Sequence, residues 1–321
     1  MTGGLLGRLT NASVLEAARR FVGPGVVPEP VNLGVNHVYR CADLALRFTH
    51  SGMRDEAYLT PPLAWLRHLE QAGAPVCAPR ASRNGKLIEQ LQQDDDTFLV
   101  TAVQWVTGPR LSALTPTEDL YHAFGRSIGQ LHRLTEYFAL PPGTAPMIFA
   151  EQRRPFPEWA ELWHRAAPDA AGHPTLRRAF ERLTPEVDRW SNSGAGFGLM
   201  HGDLRPGNAI WDGQRAVIID FDEPVWAPLA NDLARAALEL SEPVAARLLP
   251  HLIAGYRTEL RLEEVWVERL PLLTAARCAL MAAWSVGDGS SQASRGSGAV
   301  VSVDRLVQRL ERWLTGSPDR A

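Results

Sequence analysis

Cysteine is scarce in this chain of 321 residues: Cys41, Cys77 and Cys278 are odd in number, far apart and in no CxxC pattern. That argues against a disulfide framework and a cysteine zinc site, and fits a reducing cytosol. Positive charge is not in excess. Thirty-three Lys and Arg stand against 36 Asp and Glu, leaving a net charge of −3, so there is no basic field for nucleic acid. Long apolar runs are missing too. MTGGLLGRL is too short for a signal-peptide core, and no stretch approaches the roughly 18 consecutive apolar residues of a membrane span. No GxxxxGK[ST] occurs, which sets P-loop proteins aside, and no repeat of fixed period is visible. The expectation is a soluble, cytoplasmic protein without nucleic-acid or membrane partners.

What is present is ordinary globular material, 45% hydrophobic and 21% charged, in a length that suits two lobes. From Val31 to Val106 the text is strand-like: VNLGVNHVYR, LALRF, KLIEQL and TFLVTAVQWV, with Asn84-Gly85 as a hairpin signal. The run is interrupted by PPLAWLRHLEQAG, where Thr60 is a candidate cap, Pro61 suits a first helical position and Gly73 ends the helix. A five-stranded antiparallel sheet with one helix after its third strand is therefore expected. After Thr107-Gly108-Pro109 the character turns helical, first with Leu120, Phe124, Ile128 and Leu131 at helical spacing, then over 158–166, 175–191, 228–240, 243–262 and 264–286. GDGSSQASRGSG over 287–298 reads as a linker before an amphipathic helix, VDRLVQRLERWL. The fold class is α+β, with an N-terminal lobe over 1–107 and a larger helical lobe over 108–321.

One β-like island interrupts the helical half. It holds His201-Gly202-Asp203-Leu204-Arg205-Pro206-Gly207-Asn208 and then AVIID, ending in Asp220-Phe221-Asp222. Phosphoryl transfer to a hydroxyl needs a carboxylate near the acceptor, oxygen ligands for Mg²⁺ and rigid positioning of both. D-x-x-x-x-N, with His two residues ahead, is the spacing of a kinase catalytic loop, with Gly202 in place of the usual Arg. On this reading Asp203 faces the acceptor hydroxyl, the Asn208 side-chain oxygen ligates metal, and Asp220 at a strand end joins it.

HGDLRPGN, VIIDFDE and NDLA together resemble the aminoglycoside phosphotransferase and choline kinase-like superfamily, over about Val31 to Leu240. The resemblance implies a protein-kinase-like two-lobed fold with ATP between the lobes. It also implies a catalytic base at Asp203, Mg²⁺ ligands at Asn208 and Asp220, a bracing role for His201, and in Asp232 a tie between a helix start and the catalytic loop. Asp222 matches a family acid and reads equally well as a solvated residue. On the nucleotide side, Gly34 and Asn36 lie in a turn expected to cover phosphates. Arg47 stands where the superfamily often has a phosphate-binding Lys, and Glu56 is the nearest candidate partner for it. Gln104, Trp105 and Val106 occupy the hinge that would meet adenine through backbone groups, with the Trp105 ring packing between lobes. The expected acceptor is a hydroxyl of a small molecule such as an aminoglycoside, an amino alcohol or a sugar. Two alternatives stand beside it: a protein Ser/Thr kinase of the bacterial stress-response type, motivated by DFDEP, and a catalytically inactive nucleotide-binding regulator, motivated by Arg47 and by Pro61-Pro62 where a helix carboxylate is expected. Acids after Asn208 (Asp222, Glu223) and Glu158 and Glu161 before it are candidates for drawing a cationic acceptor.

Overall fold

The structure, a computed structural model, describes residues 7–33, 37–141, 156–191, 196–287 and 302–316. The phosphate-covering turn with Gly34 and Asn36, the extreme N-terminus and nearly all of the linker lie outside them.

Strands β1 (Glu29–Leu33), β2 (His37–Cys41), β3 (Leu44–His50), β4 (Ile88–Gln93) and β5 (Asp96–Gln104) form one antiparallel sheet in the order β1-β2-β3-β5-β4. In β3 the alternation buries Leu44, Leu46 and Phe48 on one face and leaves Ala45 and Arg47 half-buried on the other. A helix absent from the sequence reading, α1 (Asn11–Phe21), covers the apolar face with Val14, Ala17, Ala18 and Phe21.

The inserted helix α2 spans Glu56–Gln71 and starts earlier than expected. Asp55, not Thr60, is its cap, accepting a hydrogen bond from the Tyr58 amide, and Pro61 and Pro62 sit inside it. Trp65 on α2 ties the sheet half to the helical half: its Nε1 donates to Thr135 Oγ1 at 3.0 Å, and its ring meets Phe221 edge-on at 5.3 Å.

The helical half contains α3 (Glu118–Thr135), α4 (Trp159–Ala170) and α5 (Pro174–Ser191). The short strands β6 (Phe197–Met200), β7 (Ala209–Trp211), β8 (Ala216–Ile218) and β9 (Val225–Pro228) follow, and then α6 (Ala230–Ala237), α7 (Glu242–Arg257), α8 (Glu264–Glu268), α9 (Leu270–Gly287) and α10 (Val303–Thr315). Leu120, Phe124, Ile128 and Leu131 are all buried, as their spacing requires. Helix 264–286 is broken in two at Arg269. Contrary to the reading that nothing approaches membrane length, α9 has 18 residues with a mean hydropathy of 1.3, enough by length and composition to cross a bilayer. It packs against α4, α5, α6 and α10, so its apolar character is that of a core helix. The three cysteines are free and buried.

Candidate active site

The catalytic-loop candidate is built by a ladder of backbone bonds. Strands β7 and β8 pair through Ala209 and Ile218, and the Ile219 amide donates to the Asn208 carbonyl at 3.0 Å, which brings Asp220 beside Asn208. Asp220 has φ 71°, a left-handed conformation in which a non-glycine residue is held only by its surroundings. Asn208 Nδ2 donates to the Asp203 carbonyl at 3.0 Å and to Asp203 Oδ2 at 3.1 Å. That leaves the amide oxygen of Asn208 as its remaining acceptor.

Asp232, fully buried, braces this loop. Its Oδ2 accepts from the His201 amide at 3.0 Å and its Oδ1 from the Gly202 amide at 3.1 Å, while His132 Nε2 lies 3.1 Å from Oδ2. His201 in turn donates from Nε2 to the Ile219 carbonyl at 3.0 Å and accepts the Asp203 amide at Nδ1, 3.2 Å. Phe221 packs against His201 with ring centroids 4.8 Å apart. The glycine at 202 has a direct cause: φ is +85°, and a Cβ there would stand 2.1 Å from the Glu223 carbonyl oxygen.

Arg47 does face the cleft, and its partners differ from those expected. Nη1 is 3.0 Å from Asp220 Oδ1, and Nη2 pairs with Asp222, which also takes Arg54 Nη1 at 2.8 Å. Glu56 bonds instead to Gln90 Nε2 at 3.0 Å and plays no part. Lys86, the only lysine of the sequence, lies in the turn ahead of β4, so the cation on β3 has to be Arg47. Asp222 is thus an ion-pair member, and its solvated reading is set aside.

The hinge is altered as well. The Gln104 amide donates to the Ala78 carbonyl and the Trp105 amide to the Asp43 carbonyl, both at 2.7 Å, so neither is open to an adenine edge. The Gln104 side chain accepts from Arg80, and Arg40 sits 5.1 Å over the Trp105 ring. Val106 packs on the main core.

Three arginines beside Asp203 went unread in the sequence. Arg235 Nε is 2.7 Å from Oδ1, Arg277 Nη2 is 3.5 Å from the same oxygen and Arg205 Nε is 3.6 Å from Oδ2. Burial pushes the Asp203 carboxyl up, yet Arg235, Arg277 and Arg205 outweigh it, and the net direction is below the usual carboxylate range. Arg277 carried a usable signal: it is the one charged residue in an otherwise apolar helix.

The oxygen donors suit Mg²⁺, which is bound through one or two protein carboxylates plus substrate phosphates and not by a closed protein cage. The described residues contain no cluster of three or more His, Cys, Asp or Glu arranged to hold a metal.

Comparison with known proteins bears on the family and the fold. Residues 29–266 match the family model described as the phosphotransferase enzyme family. Amicoumacin kinase of Bacillus subtilis (strain 168) is 28% identical over 251 residues, 74% of this chain and 73% of that protein. Amicoumacin kinase hAmiN, solved in complex with AMP-PNP, Ca²⁺ and Ami, shares the fold at TM-score 0.76 and 20% identity, over 97% of this chain and 95% of that one. The microcompartment-associated aminopropanol kinase does so at TM-score 0.70 and 20% identity, over 95% and 98%.

Proposed function

The chain belongs to the phosphotransferase enzyme family, and from that premise we propose that it moves the γ-phosphoryl group of ATP to a hydroxyl of a small molecule. The observation that carries the reading is the junction of Asp203, Asn208 and Asp220, made by the Asn208–Asp203 bonds and the Ile219–Asn208 backbone bond. The nucleotide would lie between the sheet half and the helical half, with the lobe junction near residue 107. A small-molecule acceptor is supported by the amicoumacin kinase relative and by the solved kinases of this fold named for amicoumacin and aminopropanol.

Asn208 and Asp220 would hold the Mg²⁺. When bound, the ion supplies positive charge against the oxygens of the transferring phosphoryl group. Arg47, the counter-charge of Asp220 and Asp222, would take phosphate oxygens of the nucleotide. Val106 is the hinge position we retain for adenine. Asp203 accepts the acceptor hydroxyl. A carboxylate of lowered pKa is a weak base, so it chiefly orients the hydroxyl and takes its proton as the new O–P bond forms and the bond to the ADP oxygen breaks.

The intact junction weighs against an inactive regulator, and DFDEP is explained by ion pairs: Asp220 and Asp222 hold Arg47 and Arg54, with no need of a protein substrate. The test is ATP consumption against panels of hydroxylated small molecules and a generic protein acceptor, with Asp203→Asn as the control. Transfer to a small molecule that Asp203→Asn abolishes is expected. Turnover preserved within a few-fold in that variant overturns the assignment.

A further inference from the structure

We propose that the acceptor carries a carboxylate close to the hydroxyl that is phosphorylated, and that Arg277 binds that carboxylate. The inference rests on the phosphotransfer reading of the same cleft and names the class of its acceptor.

Arg277 is 4% exposed, on a helix otherwise free of charge. A guanidinium offers five N–H donors, and a buried one is costly unless they are met. Among the described residues Arg277 has a single hydrogen bond, Nη2 to Asp203 Oδ1 at 3.5 Å, at the outer limit of such a bond, while its Nε is buried without a hydrogen-bond partner. Asp203 does not need it. Its Oδ1 already takes Arg235 at 2.7 Å, and its Oδ2 takes Asn208 at 3.1 Å. Arg235 is by contrast fully engaged, with Asp203 on Nε and Glu239 on both terminal nitrogens.

The carboxylates that face or flank this place are nearly all committed elsewhere. Asp222 pairs with Arg47 and Arg54, Glu239 with Arg235 and Arg205, and Asp232 holds the His201 and Gly202 amides and His132. Glu158 and Glu161, candidates for drawing a cation, close a capping box on α4. Glu223 remains. It is exposed and near enough for its charge and that of Arg277 to favour each other, yet no hydrogen bond or ion pair joins the two, and burial first, then Asp203, push its carboxyl upward. A ligand carboxylate could therefore make the short hydrogen bonds that no side chain among the described residues makes to Arg277. Asp203 Oδ1 and Arg277 Nη2 are only 3.5 Å apart, so one compact acceptor can set its hydroxyl on Asp203 and its carboxylate on Arg277. An acceptor with several ammonium groups would instead meet Arg205, Arg235 and Arg277 together.

The test uses the full chain with and without Mg²⁺ and AMP-PNP, titrated calorimetrically with three matched probes: 3-hydroxybutanoate, 1,3-butanediol and 4-amino-2-butanol. The carboxylate is expected to bind about ten-fold or more tightly than the diol, and the amine most weakly. Arg277→Met should erase the preference and Arg277→Lys should keep part of it, with a Mg²⁺–nucleotide thermal shift in both variants as the folding control. No saturable response to 3-hydroxybutanoate, equal binding of the diol, or a preference that survives Arg277→Met each overturns the inference. If wild-type protein gives no Mg²⁺–nucleotide shift, the phosphotransfer reading fails; if it gives that shift without a carboxylate preference, only this inference does.

Discussion

Removing the Asp232 carboxylate should unfasten the catalytic loop, and the size of the effect follows from its contacts. Asp232 is 0% exposed and receives the His201 and Gly202 amides at 3.0 and 3.1 Å, with His132 Nε2 at 3.1 Å. In Asp232→Ala two buried backbone donors lose their acceptor, at about 1–3 kcal/mol each, and the His132 contact is lost as well. Together that is about 4 kcal/mol. At ~2 °C per kcal/mol for a chain of this size, Tm should fall by about 8 °C. Asp232→Asn keeps one acceptor oxygen but turns an NH₂ group toward the other donor, so it should recover less than half of the loss. Because Asp203 directly follows Gly202, kcat should drop further than nucleotide KM rises, since Asp220 and Arg47 lie on other elements. Thermal and urea denaturation with steady-state kinetics read both effects. An Asp232→Ala protein within about 2 °C of wild type would refute the bracing argument.

Gly202→Ala should cost about 3 kcal/mol or more, because a residue at φ +85° is strained and the Cβ would meet a backbone oxygen that cannot rotate away; an unchanged urea midpoint would count against it. Asp203→Asn should lower the urea midpoint at neutral pH, with a difference that shrinks in acid. The folded carboxyl has a depressed pKa, so its contribution is present above the unfolded value of about 4 and is lost as pH falls through the folded value. A midpoint difference that stays constant from neutral to acid pH contradicts that sign. Arg47→Met should leave Asp220 and Asp222 facing each other with only Arg54 between charges, weakening nucleotide binding more than it lowers Tm; nucleotide affinity equal to wild type by calorimetry counts against the phosphate role.

Local chemistry was legible in the sequence where local geometry makes the site. The spacing from His201 to Asn208 survives folding because it lies in one turn and one short hairpin, and Asp220 follows the strand that pairs with it. The five antiparallel strands, though not their order, followed from alternation and turns. Helix α1 has its own local signal, Val14, Ala17, Ala18 and Phe21 at a 3.6-residue period behind the Thr10 cap. The start of α2 was misplaced because Pro61 is a strong first-turn signal, yet the Asp55 cap a turn earlier prevailed and tertiary packing of Trp65, Leu66 and Leu69 holds the prolines in the helix. The arginines around Asp203 were hidden for another reason. Arg235 and Arg277 reach it across 32 and 74 residues, and no periodicity encodes contacts at that separation. The hinge amides were lost to Ala78 and Asp43 in the same way.

The central claim, that Asp220 with Asn208 forms a Mg²⁺ site for a nucleotide beside Asp203, is tested most directly by thermal shift with AMP-PNP, with and without Mg²⁺. Wild-type protein should gain a shift that needs both nucleotide and metal, and Asp220→Ala should lose it while still melting cooperatively. A Mg²⁺-dependent shift of wild-type size in Asp220→Ala contradicts the account.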